Sequence, residues 1–129
     1  MEPKQIAKKS EHSHQAAYFC WLAKQTECPQ LMYAFAVPNG GLRNKVQAAK
    51  LKAEGVKPGV PDVFLPYPCG QYAGLWLEFK KPGFENRKNG GLSTDQIRWR
   101  QYLESCHYEY KVVYSWLQAV DCTIEYLKP

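Results

Sequence analysis

The feature that most constrains this chain is a pair of acidic residues at the ends of two short apolar segments. Asp62 opens the segment from Asp62 to Leu65, and Glu78 lies near the end of the segment from Leu75 to Lys80. Both segments are predicted to be strands, and the short connection between them favours an antiparallel hairpin. Because side chains alternate along a strand, Glu78 and Lys80 are predicted to project from one face.

Two carboxylates and an ammonium at one end of a sheet indicate a metal site. A hard cation such as Mg²⁺ is held by oxygen ligands, usually one or two carboxylates with water and substrate phosphate. Each residue also has a simpler interpretation, with Asp62 as a turn former and the other two on a solvated edge strand. The nearly continuous apolar run around Glu78 instead predicts a strand covered on both faces, where a carboxylate needs a partner.

Length and charge set the class of protein. The chain has 129 residues, which predicts one domain over 1–129, with residues 1–9 as a flexible tail. The net charge of +5 suits a polyanionic partner such as nucleic acid. The five cysteines lack paired spacing, and no signal peptide or long apolar run occurs, so a cytoplasmic protein without a membrane span is expected.

The pattern of apolar and capping residues predicts four helices and four strands. With their capping serines included, the helices are predicted over 10–25, 43–54, 93–106 and 115–127. The strands are predicted over 31–37, 62–65, 75–80 and 110–114. In the first helix, the predicted apolar stripe consists of Ala16, Ala17, Phe19, Cys20 and Ala23. Residues 81–92 are predicted to be an exposed, mobile loop.

The motifs together resemble a known nuclease superfamily. The strings Gly59-Val60-Pro61-Asp62 and Leu75 to Lys80, followed by Ser93 to Gln96, are similar to PD-(D/E)XK nucleases. More narrowly, they resemble the virus-type replication-repair nuclease (VRR-NUC) domain over roughly residues 11–127. The resemblance implies an α/β fold with a restriction-endonuclease-like core, in which helices flank a central mixed β-sheet.

The resemblance also implies roles for individual residues. It makes Asp62, Glu78 and the backbone carbonyl of Phe79 ligands of Mg²⁺ or Mn²⁺, with Glu11 on the first helix as a further ligand. It makes Lys80 the residue that orients or activates the attacking water, and Gln96 a residue near the site. Gln96 is also the expected partner of the Ser93 capping box, and both interpretations stay open. Glu11 is equally compatible with a helix-start acid favoured by the macrodipole.

Basic and glycine residues around the motif are candidates for phosphate contact. Backbone amides near glycines can approach phosphate closely, and lysine or arginine provides sequence-independent affinity. The candidates are Asn39, Gly40, Arg43, Lys45, Lys50, Lys57, Lys81 and Arg98. His12, His14 and His107 are expected to be surface residues, because magnesium prefers oxygen ligands.

The expected function is a metal-dependent DNA endonuclease selective for branched DNA such as Holliday junctions. Stand-alone members of the family resemble virus or phage proteins with roles in DNA repair, so the host cytoplasm is the expected compartment. Symmetric cutting of a four-way junction requires two active sites and therefore predicts a homodimer. The alternatives are a flap, exonucleolytic or restriction-type nuclease of the same superfamily, or a noncatalytic DNA-binding module.

Overall fold

A four-stranded mixed sheet with helices packed against it forms the protein, as the sequence predicts. The computed structural model describes residues 10–38 and 44–128. Its helices are α1 (Glu11–Ala23), α2 (Lys45–Ala53), α3 (Thr94–Ser105) and α4 (Trp116–Leu127). Its strands are β1 (Phe35–Ala36), β2 (Val63–Leu65), β3 (Leu75–Phe79) and β4 (Glu109–Val113).

The strands lie in the order β1-β2-β3-β4, and the register places the two acids side by side. β2 is antiparallel to both of its neighbours, β1 and β3, while β3 and β4 are parallel. The predicted hairpin is confirmed by the pairing of Val63 with Leu77. The Asp62 N–H donates to the Leu77 carbonyl at 3.1 Å, so Asp62 lies beside the Glu78 end of β3.

One face of the sheet forms the main core. Val63, Leu65, Leu75, Leu77 and Phe79 are each at most 3% exposed and pack with residues of α1 and α4. The intervening residues of β3, Trp76 and Glu78, project from the opposite face because side chains alternate. This opposite face receives Gln96 of α3.

The structure corrects the predicted packing of α1. Its buried residues are His14, Tyr18 and Leu22, not the stripe of alanines with Phe19 and Cys20. His14 was expected at the surface, but it is 1% exposed and its Nδ1 accepts the Trp116 N–H at 2.9 Å. Histidine and tyrosine can be buried when their polar atoms are bonded, and the Tyr18 hydroxyl bonds to Thr123 at 2.7 Å.

Two other predicted segments differ from the structure. The predicted strand over 31–37 is a 3₁₀ turn, Pro29–Tyr33, followed by the two-residue strand β1. Residues 81–92 are mostly exposed, but they contain the 3₁₀ turns Phe84–Asn86 and Lys88–Gly91. The Tyr114 hydroxyl donates to the Gly90 carbonyl at 2.8 Å and ties this loop to the end of β4.

Within the described part of the chain, no helix is long and apolar enough to cross a membrane. All five cysteines are free, and Cys20 is exposed. The predicted tail, 1–9, lies outside the described residues.

Candidate active site

A cavity of about 840 Å³ opens at the end of the sheet where β2 begins and β3 ends. The predicted residues Glu11, Asp62, Glu78, Phe79, Lys80 and Gln96 all line it. Residues from α1, β1, the loop before β2, β3 and α3 therefore meet at one place. The spaced motif in the sequence corresponds to one site in space.

Asp62 is oriented by the backbone of the neighbouring strand. Its Oδ2 accepts the Phe79 N–H at 2.7 Å. Burial raises the pKa of Asp62, the bond from Phe79 opposes that rise, and the negative charge of Glu11 adds to it. The carboxylate is thus held in one orientation at the edge of the cavity.

Glu78 is a buried carboxylate beside a second one. It is 2% exposed, and burial followed by the charge of Asp62 raises its pKa to about 9, although Lys80 acts in the opposite direction. The Lys80 Nζ lies 3.9 Å from Glu78 Oε1, at the outer limit of an ion pair. Oε2 of Glu78 is buried and receives no hydrogen bond from the described residues.

Gln96 performs both of the roles that the sequence left open. Its Oε1 accepts the Ser93 N–H at 2.9 Å and its backbone N–H donates to Ser93 Oγ at 3.2 Å, which completes the capping box of α3. Its Nε2 donates to Glu78 Oε1 at 2.5 Å. The start of α3 therefore fixes the orientation of a Glu78 oxygen.

Two further residues of α1 line the cavity that the sequence did not assign to it. His12 is exposed, and Gln15 is half-buried. Gln15 lies four residues after Glu11, and residues at this spacing share a helix face. Helical spacing from Glu11 was the available signal for Gln15.

The donor set fits a divalent cation of the magnesium type. Asp62 and Glu78 supply oxygen atoms, and the buried Oε2 of Glu78 lacks the hydrogen bond that would offset its desolvation. The described residues contain no cluster of three or more His, Cys, Asp or Glu side chains arranged to hold a metal. Asp62 and Glu78 are thus the two acids of the described residues that come together at the sheet, and the exposed Glu11 lines the same cavity.

The predicted basic residues that the structure describes are exposed, and none of them lines the cavity of the acid pair. Lys45 and Lys50 are on α2, which buries none of its side chains. Lys57 and Arg98 line a smaller cavity of about 340 Å³ between the loop before β2 and α3. Arg98 also lies 3.5 Å from Asp95, and Lys81 is exposed directly after Lys80. Asn39, Gly40 and Arg43 fall outside the described residues.

Comparison with known proteins identifies the family of this chain. The VRR-NUC domain family model matches residues 4–116. A solved structure titled VRR_NUC domain protein has 26% sequence identity and a TM-score of 0.76, covering 94% of this chain and 90% of its own. A search of curated protein sequences finds no match. The chain therefore belongs to the VRR-NUC family and is a nuclease of the PD-(D/E)XK type.

Proposed function

We propose that this protein is a Mg²⁺- or Mn²⁺-dependent DNA endonuclease that cuts branched DNA such as four-way junctions. The observation that carries the metal requirement is the pairing of the buried Glu78 with the half-buried Asp62, with one Glu78 oxygen lacking a hydrogen bond from the described residues. Two facing carboxylates repel a phosphate unless a cation lies between them and the substrate. A protein that only bound DNA would have no need for this pair.

In this proposal Asp62, Glu78 and the Phe79 carbonyl hold the cation, and Glu11 contributes from the outer part of the cavity. When bound, the cation lowers the pKa of water and neutralises charge on the phosphate oxygens. The Phe79 N–H orients Asp62, and Gln96 orients Glu78. Lys80, whose side chain is 13% exposed, places its ammonium where it can orient the attacking water and stabilise charge on the phosphate.

DNA binding is proposed to use the exposed basic residues rather than base readout. The proposed contacts are Lys45, Lys50, Lys57, Lys81 and Arg98, which are exposed, and Asn39, Gly40 and Arg43 are candidates from the sequence. Phosphate contacts of this kind give affinity without sequence preference, which suits an enzyme selective for DNA shape. A role in phage or host DNA repair, in the host cytoplasm, is consistent with such selectivity.

A homodimer is proposed because symmetric resolution of a junction needs two active sites. Exposed apolar side chains that can support self-association lie near β1 and on α4. They are Met32, Tyr33, Phe35, Leu117 and Ile124, each at least 45% exposed.

The test is cleavage of labelled four-way junction, flap and linear duplex DNA with Mg²⁺ or Mn²⁺. We expect paired symmetric nicks on the junction, with 5′ phosphate products, that disappear in Asp62→Asn and Lys80→Met. The matched control is Lys111→Met, because Lys111 lies on the adjacent strand and pairs with Glu109 at 3.1 Å. Cleavage of flaps or free ends alone would replace the junction with another branched substrate, and DNA binding without cutting in either metal would contradict the proposed catalysis.

A further inference from the structure

Helix α3 contacts the segments that carry both acids, although only Gln96 was expected near the site. Gln96 donates to Glu78 on β3. One turn later, the Trp99 indole Nε1 donates to the Pro58 carbonyl at 3.0 Å, in the loop that leads to Asp62. Helix α3 therefore contacts both the loop that leads to Asp62 and the strand that carries Glu78.

The loop also approaches α3 so closely that a side chain would not fit. Gly59 has φ +86°, and a Cβ atom built on it would lie 2.6 Å from the Asp95 carbonyl carbon and 2.7 Å from the Asp95 Cβ. Such distances require the backbone of the loop or of α3 to move. Gly59 thus permits a backbone contact between the loop and the first turn of α3.

If the contact between Gly59 and α3 shifts, Asp62 shifts with it, because the segment between Gly59 and Asp62 is short and stiff. Only Val60 and Pro61 lie between Gly59 and Asp62; Pro61 is buried, and its ring fixes φ. Glu78 is anchored to the same helix by Gln96. The separation of the two carboxylates is therefore set partly by how the loop sits on α3.

We propose that Trp99 and Gly59 are positioning residues that hold the Asp62 loop on α3 and so set the geometry of the metal site. We name this contact the α3 brace, made of Pro58, Gly59, Asp95 and Trp99. The inference deepens the proposed function and rests on it, since the brace acts through the metal ligands. Supporting groups of this kind commonly affect metal affinity even though they do not touch the ion.

The first comparison is Gly59→Ala against Gly55→Ala. Gly55 has φ +98° with nothing within 4 Å of a built Cβ, so the control carries similar backbone strain without the contact with α3. Mn²⁺ affinity is measured by titrating the full chain and recording free Mn²⁺ by electron paramagnetic resonance, well below the unfolding temperature. We expect Gly59→Ala to weaken Mn²⁺ binding by about 10- to 100-fold, and Gly55→Ala by less than about twofold.

The second comparison removes one hydrogen bond and keeps an aromatic side chain, although a smaller one. Trp99→Phe deletes the indole donor, and Tyr102→Phe is the control because Tyr102 is on the same helix and 61% exposed. We expect about 3- to 10-fold weaker Mn²⁺ binding in Trp99→Phe and no change in Tyr102→Phe. DNA affinity in EDTA should be unchanged in both, and kcat should fall in Trp99→Phe with little change in KM.

A purely structural role predicts a different result, in which Trp99→Phe lowers the unfolding temperature but leaves Mn²⁺ affinity at the wild-type value. That result, or equal Mn²⁺ affinity in Gly59→Ala and Gly55→Ala, would overturn the brace. If the wild type binds Mn²⁺ but cuts no DNA, the proposed function fails while the Mn²⁺ comparisons still decide the brace. If the wild type cuts DNA and the variants keep its Mn²⁺ affinity, only the brace fails. A wild type that binds no Mn²⁺ overturns both.

Discussion

Glu78 is an acid buried where the metal-free fold is more stable with a neutral group, whereas holding a cation would require its charged form. It is 2% exposed, lies beside Asp62, and has one oxygen without a hydrogen bond from the described residues. Binding sites often keep such unfavourable groups because the ligand requires them. This conflict between the stability of the metal-free fold and the requirement of metal binding gives a prediction that can be tested by measuring stability alone.

Glu78→Gln should abolish cleavage and stabilise the metal-free protein. The amide keeps an acceptor for Gln96 and is neutral at every pH, whereas folding of the wild type near pH 7 must take up a proton at Glu78. Measured by calorimetry in EDTA, the unfolding temperature should rise by about 3–6 °C. Mg²⁺ should raise the unfolding temperature of the wild type much more than that of the variant.

The matched control is Glu104→Gln, an exposed acid paired with Arg100 at 3.4 Å, which should shift the temperature by no more than about 1 °C. A Glu78→Gln protein that is less stable than the wild type in EDTA would contradict this account.

The same group makes the metal-free protein sensitive to pH. Because burial and the Asp62 charge raise the folded-state pKa of Glu78 from 4.5 to about 9, the folded state retains a proton that the unfolded state loses. Stability in EDTA should therefore fall as pH rises between those values, by at most about 1.4 kcal/mol per pH unit. Urea unfolding at pH 6 and pH 8 measures this. If the free energy of unfolding changed equally between pH 6 and pH 8 in the wild type and in Glu78→Gln, Glu78 would not be the source of the pH dependence.

Two of the three capping serines provide a matched pair at the level of helices. Ser93 at α3 and Ser115 at α4 each accept the N–H of a glutamine three residues later at 3.2 Å. The glutamines then differ, because Gln96 reaches Glu78 whereas Gln118 Oε1 accepts the Tyr114 N–H. Only the cap of α3 is connected to the acid pair.

Alanine at either serine should cost about 1 kcal/mol of stability, as loss of a helix cap usually does. Ser93→Ala should additionally reduce kcat by about 10-fold. The Gln96 main-chain N–H loses its acceptor and the first turn of α3 loosens, although the Ser93 N–H that the Gln96 side chain accepts remains. Ser115→Ala should leave kcat unchanged. Chemical unfolding and single-turnover cleavage at saturating Mg²⁺ measure the two effects, and equal kcat values would show that the cap does not support Glu78.

The local sequence pattern predicted most helices and strands of this fold, but not which residues they pack against. Ser10, Ser93 and Ser115 each mark a helix start correctly, because capping depends on residues three positions apart. The apolar run after Leu31 predicted a long strand, yet Pro29 opens a 3₁₀ turn there instead. The predicted buried face of α1 was wrong because the burial of His14 involves a contact distant in sequence, a bond from the N–H of Trp116, 102 residues away.

At the scale of the whole molecule, the acids and Lys80 were predictable because the motif fixes their spacing. The contact of Trp99 with Pro58 was not, since it depends on how α3 packs against a loop 41 residues distant. The sheet order and the parallel pairing of β3 with β4 likewise depend on long-range packing. The prediction of Gln15 as a cavity residue would have required the register of α1, which one sequence does not determine.

A mixing experiment tests the proposed homodimer. Wild-type protein combined with excess Asp62→Asn and allowed to exchange should form dimers with one active site. Such dimers should nick four-way junctions on one strand instead of resolving them, because each protomer cuts one strand. Gel analysis of supercoiled cruciform plasmid separates nicked from linear products. An unchanged ratio of linear to nicked product would indicate protomers that act singly, and light scattering would then be expected to show a monomer.

The bonds that orient the two acids differ in how easily a mutation can remove them. Asp62 is held by the main-chain N–H of Phe79, which every residue except proline supplies at that position. Glu78 depends on the side chain of Gln96. The side chain at position 79 can therefore change without loss of the bond to Asp62. A substitution of Gln96, by contrast, removes the bond to Glu78 and can misalign the site. Inactive descendants of this protein should arise more often through α3 than through the residue between Glu78 and Lys80.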